Sequence, residues 1–370
     1  MLKPLAFGLL AMLAVLPVSA QAPADVSDAP LRVGVVGLVH THVHWILGRE
    51  DRGDIEIVGI VEPNRDLAER YAAQHGYSMD LVYADLEAML DAAQPEAVTV
   101  FTTIKDHRRV TEVAAGRGVH VMVEKPLAVS LEDAQAMLDA AERGGIHLLT
   151  NYETTWYPSV HEAHRLYAEG ALGPLRKMVV MDGHFGPEEI GVNEEFLEWL
   201  IDPAYNGAGA LTDFGCYGAN LLTWFMGNQR PLTVTAITQQ IKPDRYPLVD
   251  DEATIIVTYP EAQGVIQASW NWPYHRKDME VYGAAGAAIA TGGQTLRLRP
   301  SDPEPWADQA LSPLPAPFDD PFSYLEAVVR GRIAPDGDLS SLENNMIVME
   351  ILDAAMRSAS TGRTVVLSTE

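Results

Sequence analysis

Cysteine is nearly absent from this sequence, since Cys216 is the only one among 370 residues. A single thiol cannot close an intramolecular disulfide, and it cannot build a cysteine-rich metal cluster. Basic residues are also scarce: 26 lysines and arginines stand against 51 aspartates and glutamates, a formal net charge of −25. A surface this negative repels phosphate backbones and anionic lipid heads. The composition therefore argues against nucleic-acid and membrane-surface partners.

Long apolar runs are missing beyond the first twenty residues, and no later stretch reaches the roughly 18 residues that a membrane helix needs. The first twenty residues have the pattern of a secretory signal peptide. Lys3 supplies a positive start, residues 4–16 are a short apolar stretch, and small residues precede a cleavage point after Ala20. The alternative is an unusually apolar first helix. We expect an exported mature protein, periplasmic or secreted, without membrane contact after cleavage.

Length and composition indicate an ordinary globular protein with two domains. At roughly 100–200 residues per domain, 370 residues suggest two. Hydrophobic residues make up 47% and charged residues 21%, close to average globular usage. Residues 21–30 contain Ala, Pro, Asp and Ser without periodicity and are predicted to be a linker. We place a first domain at residues 31–150 and a second at residues 151–370.

The first domain alternates short apolar strands with amphipathic helices of about ten residues. The predicted strands are Leu31–Val36, Ile55–Val61, Ala97–Phe101, Val119–Val123 and Ile146–Thr150. Such alternation indicates βαβ units and a parallel sheet that is covered by helices on both faces. The sequence therefore predicts a doubly wound α/β domain.

The second domain has a different hydrophobic pattern, with strands that alternate inward-facing and outward-facing residues. Its predicted strands are Leu175–Met181, Leu232–Gln240, Ala253–Tyr259, Val265–Trp270 and Met279–Tyr282. A helix over Gly207–Gly227 interrupts them, and the Pro- and Asp-rich stretch Pro300–Pro321 is predicted to be a surface loop. This pattern is typical of an α+β domain with a mostly antiparallel open sheet.

The turn after the first strand is where an open α/β sheet binds a dinucleotide. The expected G-x-G-x-x-G pattern has only Gly37, because Val39 and His42 hold the other two glycine positions. Val39 adds a branched side chain where the backbone must approach a pyrophosphate. Glu62, at the end of the second strand, is where an acidic residue binds the adenosine ribose. Taken alone, this turn predicts that dinucleotide binding is shifted, weakened or lost.

Three further motifs occur in a fixed order along the chain. They are the strand-end segment Thr102–His107, the Glu124-Lys125-Pro126 element, and Asp213–Asn220 with the pattern D-x-G-x-Y-x-x-N, followed by a Ser358–Val366 tail. In this order they resemble the glucose–fructose oxidoreductase/inositol dehydrogenase (Gfo/Idh/MocA) family, from about Leu31 to Leu367. The resemblance implies an N-terminal Rossmann domain that binds NAD or NADP. It also implies that a carbohydrate-like substrate lies between this domain and a mostly antiparallel sheet.

The same resemblance implies roles for three catalytic candidates. Lys125 would contact the reacting hydroxyl, and Asp213 would orient Lys125 or bind a substrate hydroxyl. Many members have a histidine at the position of Tyr217. A tyrosine there resembles the glucose–fructose oxidoreductase, xylose dehydrogenase and dihydrodiol dehydrogenase branch, where it is the acid/base. We expect a neighbouring lysine to lower the pKa of the Tyr217 phenol from its reference value near 10.

Cofactor contacts are expected at the carboxyl ends of the first-domain strands. The residues implied are Gly37, Val39, His40, Glu62, Thr102, His107 and Glu124. Because a carboxylate at Glu62 repels a 2′-phosphate, NAD is favoured over NADP.

Histidines at 40, 42 and 44 form an unusual run. In a helix, His40 and His44 would share one face at the i, i+4 spacing of helical zinc sites, and in an extended segment all three would share a face. A further ligand for zinc or manganese could come from a neighbouring strand end, at His107, Glu124 or Glu62. Against a cation, the helix N-terminus is partly positive, so these histidines could instead bind a phosphate or an acidic substrate. Ordinary packing is the third interpretation.

Two other groups near the predicted strand ends have open roles. Glu153 follows the last parallel strand and faces either the cleft or solvent. Trp270, Trp272 and His275 form either a stacking wall for a sugar ring or part of the core.

These observations support two main functions. The first is an exported NAD(P)-dependent oxidoreductase of a sugar, polyol or related diol, which must hold its cofactor tightly because no free nicotinamide pool exists outside the cytoplasm. The second is a non-redox metal-dependent hydrolase or lyase, or an NAD-assisted glycosidase, that uses the same scaffold with His40, His42 and His44. A non-catalytic sugar-binding protein would not need Lys125 and Tyr217 in one cleft. The family resemblance also implies a homo-oligomer.

Overall fold

The computed structural model describes residues 29–301 and 303–367. The predicted signal peptide and nearly all of the predicted linker lie outside the described residues. Within the described ranges, every helix is too short or too polar to span a bilayer.

The first domain is a doubly wound α/β unit, as its sequence pattern predicts. Its six strands form one parallel sheet in the order β3-β2-β1-β4-β5-β6. The strands are β1 (Leu31–Val36), β2 (Ile55–Val61), β3 (Val82–Tyr83), β4 (Ala97–Val100), β5 (His120–Glu124) and β6 (Leu148–Asn151). The helices are α1 (Val43–Leu47), α2 (Arg65–His75), α3 (Leu86–Ala93), α4 (His107–Ala115) and α5 (Leu131–Gly144).

Local capping explains where the first-domain helices begin and end. The Asn64 side chain accepts a hydrogen bond from the Leu67 amide at the start of α2, and Gly76 ends this helix in the left-handed conformation. Ser130 caps α5 in the same way through the Asp133 amide. Each cap satisfies a backbone group that the helix leaves unpaired, which fixes how α2 and α5 follow β2 and β5.

The second domain is built on a nine-stranded sheet in the order β14-β13-β12-β11-β7-β10-β9-β8-β15. All of its pairs are antiparallel except β7 with β10, so the predicted fold class is confirmed. The strands are β7 (Leu175–Gly183), β8 (Thr233–Gln239), β9 (Glu252–Thr258), β10 (Gln263–Ser269), β11 (Arg276–Gly283), β12 (Ala287–Thr291), β13 (Thr295–Arg299), β14 (Ala307–Ala310) and β15 (Val365–Val366). The helices are α6 (Pro158–Ala168), α7 (Glu194–Leu200), α8 (Pro203–Asn206), α9 (Ala210–Asp213), α10 (Gly215–Phe225), α11 (Pro321–Val329) and α12 (Leu342–Thr361).

Two predictions for the second domain are wrong in detail. The helix predicted over 207–227 is two helices, α9 and α10, that meet at Phe214. The first of them, α9, begins where the Asp250 carboxylate accepts hydrogen bonds from the Gly209 and Leu211 amides at 3.0 and 2.7 Å. The stretch predicted as a loop contains β14, because these residues pair with β13 at the sheet edge.

The C-terminal helices join the two domains. Residues of α11, including Phe322 and Leu325, share a buried core with β1 and β2 of the parallel sheet. Helix α12 packs against α10 and β8, and it also contacts α5 of the first domain. This arrangement places the carboxyl ends of β1 and β5 opposite α9, α10 and β11.

Candidate active site

A cavity of about 370 Å³ lies where the parallel-strand ends meet the second domain. The first domain contributes residues of the β1–α1 turn and the residue that follows β5. The second domain contributes residues from the start of α10 and from the beginning of β11. The polar side chains that line the cavity include His40, His42, Lys125, Glu153, His184, Asp213, Tyr217, His275 and Lys277.

Lys125 and Asp213 form a buried ion pair at the floor of this cavity. The Lys125 Nζ atom lies 2.5 Å from Asp213 Oδ1 and 3.1 Å from the Asp213 carbonyl oxygen, and both side chains are about 5% exposed. Burial disfavours the Lys125 charge, but the carboxylate of Asp213 outweighs it and raises the pKa of Lys125. The Trp270 indole donates to the other carboxylate oxygen at 2.9 Å. The pair is therefore held in one geometry from both sides.

The sequence leaves open whether Trp270, Trp272 and His275 line the cavity or belong to the core. Trp270 is completely buried, so it belongs to the core rather than to a wall of the cavity. Of the other two, His275 lines the cavity, whereas the Trp272 ring stacks under the Arg276 guanidinium at 4.4 Å.

Tyr217 lies beside this pair, but its hydroxyl faces a different lysine. Lys277 Nζ lies 3.4 Å from the Tyr217 hydroxyl, whereas Lys125 Nζ lies over the ring, 5.3 Å from its centre. Burial, followed by the charge of Glu153, raises the pKa of Tyr217 well above its usual value. The expectation of a lowered Tyr217 pKa is therefore wrong for this structure. Tyr217 is only 1% exposed, and the nearest ammonium, that of Lys277, is already paired with a carboxylate.

The paired carboxylate is that of Glu153, which faces the cleft. Its carboxylate forms an ion pair with Lys277 and accepts a hydrogen bond from the Tyr157 hydroxyl. Burial opposes this charge, but Lys277 outweighs it and lowers the pKa of Glu153 to about 2. Sequence reasoning missed Lys277, since it lies 60 residues from Tyr217, near the start of β11, in a segment that carries no motif.

The histidines of the β1–α1 turn separate into two groups. His42 Nδ1 lies 2.9 Å from Glu124 Oε2, and His40 Nε2 lies 3.9 Å from the same oxygen. His44 points the other way, with its Nδ1 atom 2.8 Å from His75 Nε2. The predicted grouping of three histidines is wrong for His44, because α1 begins at Val43 and rotates this side chain away from the turn.

Burial and neighbouring charges determine the protonation states of His40 and Glu124. Burial lowers the pKa of His40 well below its usual value, despite the opposing charge of Glu124. Burial would raise the pKa of Glu124, but His42 and the hydrogen bond from Asn151 outweigh it and bring the value to about 2. His40 is thus a neutral imidazole and Glu124 a carboxylate, and both lie at the strand ends.

Of the seven predicted cofactor residues, all within the described ranges, His40 alone lines the cavity. His107 is completely buried, and its Nδ1 atom lies 3.1 Å from the Leu127 carbonyl oxygen. Thr102 donates its hydroxyl to the Thr103 carbonyl oxygen. Both hold the loops after β4 and β5 rather than facing open space. Asn220 of the D-x-G-x-Y-x-x-N element likewise faces the core, where its amide donates to the Leu339 carbonyl oxygen.

Helix α7 lies across the β1–α1 turn. The Trp199 indole approaches the Val39 carbonyl oxygen at 3.5 Å. The His40 ring packs against Phe196 and Trp199, with ring centres 4.8 and 5.8 Å apart. All three aromatic rings are at most 8% exposed. Protein side chains therefore cover the surface that a pyrophosphate occupies in an open α/β sheet.

Charged and polar contacts attach the same helix to α2. Glu195 forms an ion pair with Arg70 at 2.6 Å and accepts a hydrogen bond from the Tyr71 hydroxyl. The Asn193 amide donates to the same hydroxyl at 2.6 Å. These contacts hold the start of α7 against α2.

Glu62, the predicted ribose-binding residue, is bonded to the protein's own backbone. The two Glu62 oxygens accept hydrogen bonds from the Leu38 and Asn64 amides at 3.0 and 2.8 Å, and burial raises the pKa of this 5% exposed carboxyl. Gly37 has φ +81°, and a Cβ atom there would lie 2.7 Å from Thr102. In this conformation α7 side chains cover the turn, so a dinucleotide bound against it would require α7 to move.

Comparison with known proteins gives matches over both domains. A family model described as "Oxidoreductase family, NAD-binding Rossmann fold" (GFO_IDH_MocA) matches residues 31–152. A GFO/IDH/MocA C-terminal domain model matches residues 160–289.

Among curated proteins, D-apiose dehydrogenase of Paraburkholderia graminis is 26% identical over 348 residues, which cover 88% of this chain and 86% of that protein. The 1,5-anhydro-D-fructose reductase of Ensifer adhaerens is 29% identical over 209 residues, 56% of this chain and 60% of the reductase.

Solved structures share the fold. An aldose–aldose oxidoreductase from Caulobacter crescentus, complexed with glycerol, has a TM-score of 0.77 at 24% identity and covers 91% of this chain and 100% of its own. An inositol dehydrogenase homologue from Azotobacter vinelandii, complexed with NAD⁺, has a TM-score of 0.79 at 19% identity and covers 92% and 98%.

Proposed function

Because the chain belongs to the Gfo/Idh/MocA oxidoreductase family, whose N-terminal domain is an NAD-binding Rossmann fold, we propose that it oxidises or reduces a sugar, polyol or related diol. The observation that carries the proposal is the meeting of Lys125, Asp213 and Tyr217 in one cavity. Both curated relatives named above act on carbohydrate-like molecules according to their names, which supports the substrate class.

The two proton-handling groups have distinct tasks in this proposal. Lys125, held by Asp213, keeps a fixed positive charge that binds the reacting oxygen of the substrate and stabilises negative charge on it. Tyr217 donates a proton to that oxygen in reduction and accepts one from the hydroxyl in oxidation. Its raised pKa keeps the phenol protonated at rest, so Tyr217 is ready to donate in reduction and must first lose its own proton before it can accept one in oxidation.

NAD or NADP would supply the hydride, and NAD is the favoured coenzyme because the Glu62 carboxylate lies at the ribose end of the groove. The covering helix α7 supports a tightly retained cofactor rather than a freely exchanging one. In this proposal α7 moves to admit the cofactor and then returns. Its contacts with the β1–α1 turn and with α2 would then slow the dissociation of the bound cofactor. Retention also suits an exported enzyme, and we propose a periplasmic or secreted location from the signal-peptide pattern of residues 1–20.

We further propose a homo-oligomer that associates through the β8 end of the nine-stranded sheet. Three apolar side chains in and after β8 support this surface: Ile237, Ile241 and Leu248 are 56–68% exposed. Light scattering on the purified protein measures the mass directly. Replacing Ile237 by lysine should shift the mass to that of one chain, and an unchanged mass would contradict the proposal.

An activity screen tests the main proposal. Purified protein is incubated with aldoses, polyols and cyclic diols, with and without added NAD or NADP, and product is detected by mass spectrometry rather than by cofactor absorbance. Oxidation or reduction that is lost in Lys125→Met supports an oxidoreductase. Product formation without any net redox change would contradict it.

A second candidate function is a non-redox hydrolase or lyase, or an NAD-assisted glycosidase, on the same scaffold. The specific observation that favours the hydrolase or lyase is that α7 covers the β1–α1 turn, whereas Lys125 and Tyr217 line an open cavity. Bond cleavage in the screen, without a change in oxidation state, would select this candidate.

A further inference from the structure

His40, His42 and Glu124 form a compact group that the proposed proton chemistry does not use. One nitrogen of each histidine and one oxygen of the carboxylate all lie within 4.8 Å of one another. The two histidines come from the turn after β1, and Glu124 is the last residue of β5. Three ligand-type atoms therefore converge at the edge of the parallel sheet, next to the cavity.

One atom of this group has no bonding partner among the described residues. His40 Nε2 is fully buried and makes no hydrogen bond, and its side chain is only 1% exposed. A buried polar atom without a partner costs about 1–3 kcal/mol, so a ligand at this position would recover energy. Because His40 lines the cavity, a ligand can reach the group from there.

The carboxylate of the group is held in place from behind. The Asn151 amide donates to Glu124 Oε1 at 2.8 Å, which leaves Oε2 turned toward the two histidines. The Trp156 indole in turn donates to Asn151 Oδ1 at 2.9 Å, and this contact sets the orientation of the amide. Outer contacts that fix ligand orientation in this way are typical of metal sites in proteins.

We propose that His40, His42 and Glu124 bind one divalent transition-metal ion, zinc or manganese. Two imidazoles and one carboxylate match the ligand preference of these ions, and three protein ligands leave an open position of the kind found in catalytic metal sites. His40 and His42 line the same cavity as Lys125 and Tyr217, so the ion would lie at the edge of that cavity. This site goes beyond the proposed oxidoreductase function, and it uses His40 and Glu124, for which the family resemblance implies cofactor contacts, so an ion here would compete with a dinucleotide.

The geometry defines what must change when the ion binds. Ligands of one ion with bonds of about 2.0–2.2 Å lie roughly 3–3.5 Å apart. The 2.9 Å separation of His42 Nδ1 and Glu124 Oε2 is close to this range, whereas the 3.9 Å separation at His40 must shorten. Coordination through His40 Nε2 also places the ring proton on Nδ1, so the 3.2 Å contact from the His42 amide to Nδ1 must lengthen.

Calorimetric titration of the chelator-treated full chain with Zn²⁺, and separately with Mn²⁺, tests the site. We expect one ion per chain, with saturable binding lost in His40→Ala and His42→Ala. His44→Ala is the matched control, since His44 lies just after the turn, in α1, and contacts His75, and this variant should bind as the unmodified chain does. Absence of saturable binding, or equal affinity in all these variants, would overturn the proposal.

Two further measurements keep the test decisive if a variant misfolds. Asn151→Ala removes only the outer contact and should weaken binding about 10- to 100-fold, with circular dichroism confirming the fold. Co²⁺ bound to the unmodified chain should show visible absorption bands that disappear in the histidine variants. Unchanged affinity in Asn151→Ala together with unchanged Co²⁺ bands would contradict the assigned ligands.

The metal and dinucleotide contents of the protein as purified, before chelator treatment, separate this inference from the proposed function. NAD without a stoichiometric ion would overturn the metal site and leave the oxidoreductase proposal intact. A stoichiometric ion without a dinucleotide would support the metal site and contradict the oxidoreductase proposal.

Discussion

Lys277 and Glu153 form an ion pair immediately beside the hydroxyl of Tyr217. The ammonium lies 3.4 Å from that hydroxyl, and the carboxylate raises the pKa of the same phenol. Two opposite charges on neighbouring elements therefore act on one proton. Their balance determines whether Tyr217 can exchange a proton with a substrate at ordinary pH.

Opposite charge changes in this pair should move the Tyr217 pKa in opposite directions. Glu153→Gln leaves the Lys277 ammonium unopposed and should lower the pKa, whereas Lys277→Met leaves the Glu153 carboxylate unpaired and should raise it. Tyrosinate absorbance during alkaline titration measures this directly, with Tyr217→Phe as the reference that identifies the signal. Shifts in the same direction, or Lys277→Arg behaving like Lys277→Met, would show that the pair does not control this proton.

Removal of the Lys125 charge should abolish turnover at the chemical step. Lys125→Met is expected to lower kcat by about 10²- to 10⁴-fold, because the reacting oxygen loses its positive partner. The exposed Lys105 provides the control, and Lys105→Met should retain full activity. A rise in KM alone, with kcat unchanged, would contradict the assigned role.

Stability should distinguish this catalytic loss from a folding defect. Lys125→Met alone leaves a buried Asp213 carboxylate without its partner, which costs about 3–5 kcal/mol. Lys125→Met combined with Asp213→Asn removes both charges and should recover much of the urea midpoint while activity stays absent. An equally destabilised double variant would mean that the ion pair is not the source of the loss.

Glu124 should make the protein sensitive to acid in a defined range. Its pKa is about 2 in the folded protein and about 4.5 when unperturbed, so its stabilising effect is complete above pH 4.5 and is lost as the pH falls toward 2. Glu124→Gln should therefore flatten the loss of unfolding free energy in that range. Urea unfolding of both proteins between pH 3 and 7 measures this, and parallel curves would contradict it.

The contacts of α7 should control how fast a cofactor leaves. Asn193→Ala with Glu195→Gln removes the attachment to α2, so a bound dinucleotide should dissociate faster during repeated gel filtration. Tyr205→Ala, at an exposed position on the neighbouring α8, is the control. Equal retention in all three proteins would mean that α7 does not enclose the cofactor.

Local sequence signals predicted most of the fold but only part of the site. The strands of the parallel sheet are short apolar runs, and capping residues such as Asn64 and Ser130 mark the helices between them, so both could be recognised without the structure. The antiparallel edge strands β12 to β14 carry no comparable signal. Lys125 and Asp213 were found through their motifs, and the structure places them in contact.

The residues that were missed act through contacts between distant parts of the chain. Lys277 reaches Tyr217 from another strand, and α7 crosses onto the first domain at Val39, 160 residues earlier. The side chain of His44 turned toward His75 because α1 starts one residue before it. Periodicity and spacing describe neighbours along the chain, and they do not determine which surfaces meet in the folded protein.

The most direct test of the oxidoreductase proposal is native mass spectrometry of the full-length gene product, purified from the exported fraction. The account predicts a chain that begins at Gln21 and carries the mass of one NAD or NADP that survives purification. A chain without any dinucleotide, even after incubation with excess NAD, would contradict it.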